Sequence, residues 1–308
     1  MEKSSTSHRS GYVAIVGRPN VGKSTLLNGL LGTKLSIVSF RPQTTRNRVM
    51  GIFNSDELQV VFLDTPGVHE ARGLLNRRMV DQALSTLSDV DLVMLMIDPR
   101  SEADPEQDSV LLERIRSKGL PLILVINKVD LVEKPRLLPV IQAWDEAVSP
   151  LAIVPLSALK QQGLDPLMAV IAGQLSEGPA YFPKDQLSDV SERFVVSELI
   201  REKLFIQLDK ELPYSLAVEI EEWEEARKKG DVTRIMARIW VERDSQKAIV
   251  IGRKGARIKE VGTAARLDVE RLLGTRVFLK LTVGVKKDWT RKKSVVEGLG
   301  HFDTKGHS

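Results

Sequence analysis

The residues most able to do chemistry begin in a glycine-rich segment near the N-terminus. It reads Gly17-Arg18-Pro19-Asn20-Val21-Gly22-Lys23-Ser24 and matches the pattern G-x-x-x-x-G-K-[ST]. A strand-like apolar stretch precedes it and a helix-like stretch follows it. Glycines allow backbone N–H groups to surround a phosphate, and the N-terminus of the helix adds positive potential. The pattern predicts a nucleoside triphosphate site, with Lys23 reaching the β- and γ-phosphates and the Ser24 hydroxyl binding Mg²⁺.

A second motif, Asp64-Thr65-Pro66-Gly67, follows the apolar run 59–63. Its carboxylate, Asp64, is placed to hold Mg²⁺ through water, and the Gly67 N–H is placed to donate to a γ-phosphate. The pattern D-x-x-G is common on its own, so it supports a nucleotide site only because it follows the first motif along the chain.

Two further motifs indicate which base the nucleotide carries. They are Asn127-Lys128-Val129-Asp130 and Ser157-Ala158-Leu159, and each follows an apolar run. Guanine presents two donors, N1–H and the 2-amino group, and a carboxylate only accepts. Asp130 should therefore select guanine, because adenine would leave the carboxylate unpaired. We expect Asn127 to brace the loops, the stem of Lys128 to lie along the base, and the Ala158 N–H to reach the guanine O6.

These motifs need a sheet that brings strand ends together. Short runs rich in Val, Ile and Leu alternate with helix-like segments through residue 178. Predicted strands cover 12–16, 59–63, 92–97, 122–126 and 153–156, with helices over 23–31, 77–88, 104–118 and 135–147. The alternation predicts an α/β fold with a doubly wound, mostly parallel sheet. Ligands of such sheets bind at the carboxyl ends of the strands, where all four motifs fall.

The set of motifs resembles the translation-factor-related P-loop GTPases. The resemblance implies a first switch loop over 34–51, in which Thr44 or Thr45 closes over Mg²⁺ and the γ-phosphate, and spacing does not choose between them. It implies a second switch from Asp64 through residues 68–75. At the position where Ras-like enzymes carry a water-orienting glutamine, this chain has Val68, so hydrolysis should be slow or assisted. Asn20 resembles the residue that binds K⁺ in several GTPases lacking that glutamine, which predicts hydrolysis stimulated by K⁺.

The C-terminal part of the chain differs in charge. Residues 247–293 hold 14 Lys and Arg against four Asp and Glu, although the whole chain carries a net charge of only +4. Such a stretch attracts polyanions, either nucleic acid or an anionic lipid surface. Inside it, Ile251-Gly252-Arg253-Lys254-Gly255 lies between two helix-like segments. The pattern helix–strand–strand–helix–helix–strand resembles a type II KH domain, a smaller α+β module whose G-x-x-G loop clamps single-stranded nucleotides.

Candidate RNA-binding residues follow from that resemblance and from the positive charge. They are Ile251, Gly252, Arg253, Lys254, Gly255, Arg257, Lys259, Lys286, Lys287 and Trp289. Trp289 is included because it lies among basic residues and could stack on a base.

The GTPase motifs together with a C-terminal KH segment resemble one family closely, the Era family of bacterial ribosome-assembly GTPases. The resemblance covers about residues 11–290. Its nucleotide-binding residues would be 17–25 including Thr25, 64–68, and Asn127, Lys128, Asp130, Ser157, Ala158 and Leu159. It implies GTP and GDP as ligands, the 3′ end of 16S rRNA in the 30S subunit as partner, assistance to subunit assembly, and weak association with the inner membrane face.

Composition and patterning set the remaining expectations. The chain has no cysteine, which excludes disulfides, thiolate metal sites and a cysteine nucleophile. Its apolar runs are far shorter than the roughly 20 residues of a membrane span. We expect a cytoplasmic monomer, with no obligate protein partner inferable. The expected parts are a disordered N-terminus (1–10), a GTPase domain (11–178), a linker (179–189), a KH domain (190–289) and a mobile tail (290–308).

Two alternative functions stay open at this point. One is a constitutive RNA-binding protein whose nucleotide is merely structural. The other is a GTPase associated with tRNA modification, although the chain has neither a cysteine nor a flavin fingerprint for such chemistry.

Overall fold

The structure is a computed structural model that describes residues 8–38, 44–67, 74–100, 105–208, 212–226, 228, 231–287 and 289–291. The chain divides into two compact units. The first contains residues 1–36, 48–71 and 78–189. The second contains residues 190–308 together with two segments from the N-terminal half, 37–47 and 72–77. The segment 37–47 lies inside the range 11–178 that we expected to form a single domain.

The first unit is built on a six-stranded sheet with the order β2-β3-β1-β4-β5-β6. Its strands are β1 (Arg9–Gly17), β2 (Val49–Asn54), β3 (Leu58–Asp64), β4 (Leu92–Ile97), β5 (Leu122–Ile126) and β6 (Ala152–Pro155). Its helices are α1 (Lys23–Leu31), α3 (Ser109–Ser117), α4 (Lys134–Val148) and α5 (Leu164–Gln174), and α2 (Leu74–Thr86) begins in a segment assigned to the second unit. All strand pairs are parallel except β2 with β3.

The sheet core explains the apolar runs of the sequence. Every residue of β4 and β5 is buried, as expected for parallel strands covered on both faces. The predicted mostly parallel α/β fold is confirmed. The sequence pattern missed β2, an antiparallel edge strand interrupted by Gly51. A Cβ on Gly51 would lie 2.5 Å from a methyl carbon of Leu31, so the glycine lets α1 pack closely on the strand.

Two expected boundaries differ from the structure. Arg9 and Ser10, which we placed in a disordered N-terminus, pair with Leu58 and Gln59 of β3. The range 179–189, which we interpreted as a linker, packs on the first unit. Ile52 donates its N–H to the Leu187 carbonyl at 2.9 Å, and the buried Gln59 side chain bonds backbone groups of residues 181 and 182. Backbone pairing and a buried amide give these polar, proline-containing segments a fixed place that composition does not reveal.

The second unit is a smaller α+β fold with a three-stranded sheet in the order β7-β8-β9. Its elements are α6 (Glu192–Gln207), β7 (Ala217–Glu224), β8 (Thr233–Val241), α7 (Asp244–Ile251), α8 (Ala256–Leu273) and β9 (Val277–Val285). β7 and β8 are antiparallel, and β8 and β9 are parallel. Along β8, Ile235, Ala237 and Ile239 are buried and alternate with more exposed residues, which is the period of a half-buried strand. The predicted element order is confirmed.

None of the helices in the described part of the chain combines the length and the apolar character that crossing a membrane requires.

Candidate functional site

The glycine-rich loop joins the end of β1 to the start of α1, and its conformation requires its glycines. Gly17 and Gly22 have φ of 144° and 107°, in the region that side chains disfavour. A Cβ on Gly17 would collide with the Met96 carbonyl oxygen, and one on Gly22 would collide with the Asn127 amide. Asn20 is left-handed as well, with φ of 64°. The loop therefore holds its shape through close backbone packing.

Lys23 is buried at the base of this loop. Its ammonium donates to the carbonyls of Gly17, at 3.1 Å, and Arg18, at 2.9 Å. Burial lowers the pKa of Lys23 to about 8, although the nearby Asp64 carboxylate acts in the opposite direction. The low pKa means that the ammonium is poorly compensated, so an anion inside the loop would stabilise its charged form. The Arg18 side chain points to another partner, Asp108, at 3.0 Å.

Asp64, at the end of β3, is fully buried beside the start of α1. Its Oδ2 accepts a hydrogen bond from the Ser24 hydroxyl at 2.7 Å, and its Oδ1 has no hydrogen-bond partner among the described residues. Burial raises the pKa of this carboxyl. An orphaned buried carboxylate oxygen next to a hydroxyl is a donor set that suits Mg²⁺, which prefers oxygen ligands. The residues therefore fit the predicted metal.

The rest of this motif is packed around the loop. Thr65 is buried and donates its hydroxyl to the Ile15 carbonyl at 2.8 Å. A Cβ on Gly67 would lie 2.6 Å from the backbone nitrogen of Pro19, so the two motifs touch through their backbones. Val68 lies outside the described residues. Thr44 and Thr45 belong to the second unit, where the Thr44 carbonyl accepts a hydrogen bond from Arg201.

Asn127 ties three loops together at the end of β5. Its amide donates to the Val21 carbonyl at 2.7 Å, and its side-chain oxygen accepts the Ala158 N–H at 2.9 Å. The bracing expected of Asn127 is present in the geometry. The Ala158 N–H, which we expected to face a guanine O6, has Asn127 as its partner here.

Asp130 stands beside the Ser157-Ala158-Leu159 turn. The hydrogen bond from Ser157 is the strongest influence on its pKa and lowers it, against the effect of burial. The Lys160 ammonium lies 3.6 Å from its Oδ2. Asp130 is thus an ionised acceptor at neutral pH, as recognition of two guanine donors requires. Leu159 is largely exposed.

Sequence reasoning missed one charged residue of this site, Asp98. It follows β4 directly and accepts hydrogen bonds from Lys128 and Arg100. Its position at the carboxyl end of a central strand was a signal that could have identified it.

The G-x-x-G loop of the second unit connects α7 to α8. Gly252, Lys254 and Gly255 all have positive φ, of 73°, 49° and 78°. A Cβ on Gly252 would also lie 2.7 Å from the Cβ of Arg257, whereas one on Gly255 would meet nothing within 4 Å. The first glycine is therefore required by conformation and by packing, and the second by conformation alone.

The charges of this loop point outward. Arg253, Lys254 and Lys259 are exposed, while the half-buried Arg257 donates to the Ile249 carbonyl at 2.8 Å near the end of α7. Ile251 is half-buried before the loop. Because these cations are exposed to solvent, an extended polyanion can reach them, and they suit contact with its phosphates.

One expected RNA-binding residue is wrongly assigned. Trp289 is fully buried, and its indole N–H donates to the Ser215 carbonyl at 2.9 Å, so its ring is unavailable for stacking on a base. Its neighbours Lys286 and Lys287 are exposed. The Lys286 ammonium lies 5.6 Å from the ring centroid of Trp240, and the Arg238 guanidinium lies 5.2 Å from the same centroid. Local charge density in the sequence could not distinguish a core tryptophan from a surface one.

Comparison with known proteins separates the two units. Residues 12–128 match the family described as 50S ribosome-binding GTPase, and residues 211–290 match the KH domain family. Over 293 residues the chain is 48% identical to GTPase Era of Geobacter metallireducens, covering 95% of this chain and 98% of that one. GTPase Era of Staphylococcus haemolyticus is 42% identical, with 97% and 99% covered. The chain belongs to the Era family of GTPases.

Solved Era structures share the fold of nearly the whole chain. A point variant of Aquifex aeolicus Era bound to GDP and AlF4⁻ superposes with a TM-score of 0.91 at 40% identity, covering 96% of this chain and 99% of that one. A structure of Era with MgGDPNP and nucleotides 1506–1542 of 16S ribosomal RNA gives the same values. Membership of the Era family, inferred from motifs alone, is thereby confirmed.

Proposed function

We propose that this protein is a GTP-hydrolysing switch that binds the 3′ region of 16S rRNA through its KH unit and assists maturation of the 30S subunit. The observation that carries the proposal is the assignment of residues 37–47. In sequence they lie between the phosphate loop and Asp64, where a GTPase has its first switch, and in space they are part of the second unit. A segment that must respond to the γ-phosphate is therefore also a structural part of the RNA-binding fold.

Buried charges hold this segment. Arg46 is almost fully buried and donates to the carbonyls of Leu216, at 2.8 Å, and Pro213, at 3.2 Å. Arg201 of α6 donates to the Thr44 carbonyl and is paired with Glu198. The Val38 N–H donates to Glu202 at 3.2 Å. Because Arg46 meets two backbone carbonyls, moving the segment leaves those carbonyls in need of other partners.

The GTP site would work through residues described above. Lys23 binds the phosphates, Asp130 reads the guanine donors, and the stem of Lys128 lies along the base. Ser24, Asp64 and either Thr44 or Thr45 would hold Mg²⁺, which when bound bridges phosphate oxygens and offsets their charge. If Thr44 or Thr45 closes on the nucleotide, the contacts of 37–47 with α6 must change, which couples the nucleotide to the RNA unit.

The test is the affinity for a 16S 3′-end oligonucleotide with a GTP analogue, with GDP and without nucleotide. We expect the first two values to differ by about 5- to 150-fold, and we expect RNA to change the ratio of the GTP-analogue and GDP affinities by the same factor. Arg46→Met should reduce that factor toward one, because it removes the bonds to the Leu216 and Pro213 carbonyls that hold the segment. Identical RNA affinities in all three states of the unchanged protein would support the constitutive RNA binder instead.

A second experiment addresses the RNA partner. Crosslinking in cells followed by mapping of the bound RNA should place the contacts at the 16S 3′ end. Contacts mainly on tRNA would favour the alternative of a tRNA-modification GTPase. Weak association with the inner membrane face remains part of the proposal, since exposed lysines such as Lys286 and Lys287 suit an anionic lipid surface.

We also propose that K⁺ assists hydrolysis at Asn20. Val68 cannot orient water by hydrogen bonding, and Asn20 occupies an exposed, left-handed position in the phosphate loop. Hydrolysis should be faster in K⁺ than in Na⁺, and Asn20→Asp should abolish the difference. Equal rates in the two salts would disprove the K⁺ proposal and leave the GTP site unaffected.

A further inference from the structure

Asp98 is a buried carboxylate that none of the four sequence motifs contains. It lies one residue beyond the end of β4, between the strand ends that carry the phosphate loop and Asn127. Its side chain is only 11% exposed. A carboxylate in such a place requires partners, because burial without them disfavours its charge.

Two cations among the described residues bind the Asp98 carboxylate. Arg100 donates to both carboxylate oxygens through Nε and Nη2, at 3.0 and 2.7 Å, and adds its backbone N–H at 3.0 Å. The Lys128 ammonium donates to Oδ2 at 2.9 Å. Burial alone would raise the pKa of Asp98, but the hydrogen bonds from Arg100 and Lys128 outweigh it and lower the pKa to about 2. The group is therefore a permanent anion at neutral pH.

The Lys128 ammonium has two acceptors that fix its position. Besides Asp98, its Nζ donates to the Asn20 carbonyl of the phosphate loop. Its backbone is left-handed, with φ of 63°, an unusual conformation for a residue with a Cβ. A free lysine side chain samples many rotamers and loses that freedom when it is held. Here the partners that order the side chain all belong to the protein, so the fold itself offsets the cost of ordering it.

We infer that Asp98 is a positioning residue for guanine-nucleotide binding, acting through Lys128. It holds the lysine stem where the base plane must lie and keeps the ammonium on the Asn20 carbonyl, so that the base pocket and the phosphate loop are joined. The inference rests on the proposed contact of the Lys128 stem with guanine. Because Asp98 acts on the base side, its loss weakens GTP and GDP binding alike.

The test is a double-mutant cycle in the full-length chain with Asp98→Asn, Lys128→Met and both together. Asp98→Asn keeps the shape and removes the charge. We expect it to weaken GDP and GTP binding by the same factor, about tenfold, through faster dissociation. In the Lys128→Met background the same change should have little further effect, since the two residues act as one unit. Asp98→Glu should recover part of the affinity.

Two controls separate positioning from general damage. Asp56→Asn removes a carboxylate of an exposed ion pair, Asp56 with Lys184, and should leave nucleotide affinity unchanged. Inosine diphosphate lacks the 2-amino donor that Asp130 reads. The factor lost through Asp98→Asn should be the same for inosine and guanosine diphosphates, whereas damage reaching Asp130 would shrink the preference for guanosine.

The outcomes distinguish this inference from the proposed function. If Lys128→Met leaves nucleotide affinity unchanged, the proposed base contact of Lys128 is wrong and the inference falls with it. If Lys128→Met weakens binding but the two substitutions are additive, only the role of Asp98 is wrong. A loss of thermal stability in Asp98→Asn with unchanged affinities would likewise overturn the inference.

Discussion

The phosphate loop and the G-x-x-G loop have similar backbone conformations but differ in how their cations are exposed. Both place glycines with positive φ just before a helix, and in both a Cβ on the first glycine would clash. The first loop encloses a buried lysine, whereas the second presents exposed Arg253 and Lys254. Enclosure suits a small anion that must be held tightly from all sides. Open cations suit a polymer that continues past the site at both ends.

The difference extends to the surroundings of each loop. Around the phosphate loop, the Asn127 amide forms a buried hydrogen bond to the Val21 carbonyl, and Lys128 forms a part-buried one to Asp98. At the G-x-x-G loop, Arg257 at the start of α8 donates a side-chain hydrogen bond to the Ile249 carbonyl near the end of α7. We therefore expect substitutions near the phosphate loop to change which nucleotide is bound and how stable the first unit is. Substitutions near the G-x-x-G loop should change the affinity for RNA and the dependence of that affinity on salt.

The largest expected effect concerns the enclosed site. Asp130→Asn replaces an acceptor-only group with an amide whose NH2 opposes the guanine donors. Affinity for GTP should fall by about 100-fold or more, and affinity for xanthosine triphosphate, which offers an acceptor at that position, should rise. Equilibrium titration with both nucleotides measures the change. RNA affinity without nucleotide serves as the control, and an unaltered preference for GTP would show that Asp130 does not read the base.

The open loop should respond differently. Replacing Arg253 and Lys254 together by glutamate should weaken RNA binding about tenfold or more and leave GTP affinity unchanged. Two lost phosphate contacts should also reduce the slope of log affinity against log salt by about 1.4. Binding measured over a salt series checks both values, with Lys259→Glu as a smaller change of one contact. A fall in affinity with an unchanged slope would indicate that the loop acts by shape alone.

How much the sequence foretold follows the same division. The ends of β1, β3 and β5 were predictable because the apolar runs and motifs are local, and so was the α7–loop–α8 arrangement. Trp289 was misassigned because it is buried and because its hydrogen-bond partner, the Ser215 carbonyl, lies 74 positions away in sequence. The strand β2 was missed because it is defined by its pairing with β3. The docking of 179–189 was missed because it depends on a backbone hydrogen bond from Ile52 of β2 to Leu187. Long-range partners are what a local pattern cannot contain.

The assignment of 37–47 to the second unit was equally hidden. The segment looks like a loop of the GTPase half because its neighbours in sequence are α1 and β2. Its place is set by Arg201 and Glu202 of α6, which lie 157 and 164 positions away from their partners in the segment. Asp98 differs from these cases: a carboxylate ending a central strand was visible, and only its ion pairs were not.

The smallest expected effect tests whether the enclosed site stores electrostatic stability that the open loop lacks. The pKa of Asp98 is lowered to about 2 in the folded protein, below an ordinary value near 3.9. A depressed carboxyl pKa contributes stability above the unfolded pKa, and that stability is lost as pH falls through the folded one. Because solvent screens part of this interaction, Asp98→Asn should cost about 1 kcal/mol of unfolding free energy at pH 6, with the difference from the parent shrinking between about pH 4 and pH 2. Urea-dependent hydrogen exchange of β4 and β5 peptides measures it in the nucleotide-free protein. Arg253→Ala, in the open loop, should change stability by less than about 0.5 kcal/mol at every pH. A gap for Asp98→Asn that stays constant down to pH 2 would mean that its ion pairs add nothing to the fold, and that the two loops differ in shape alone.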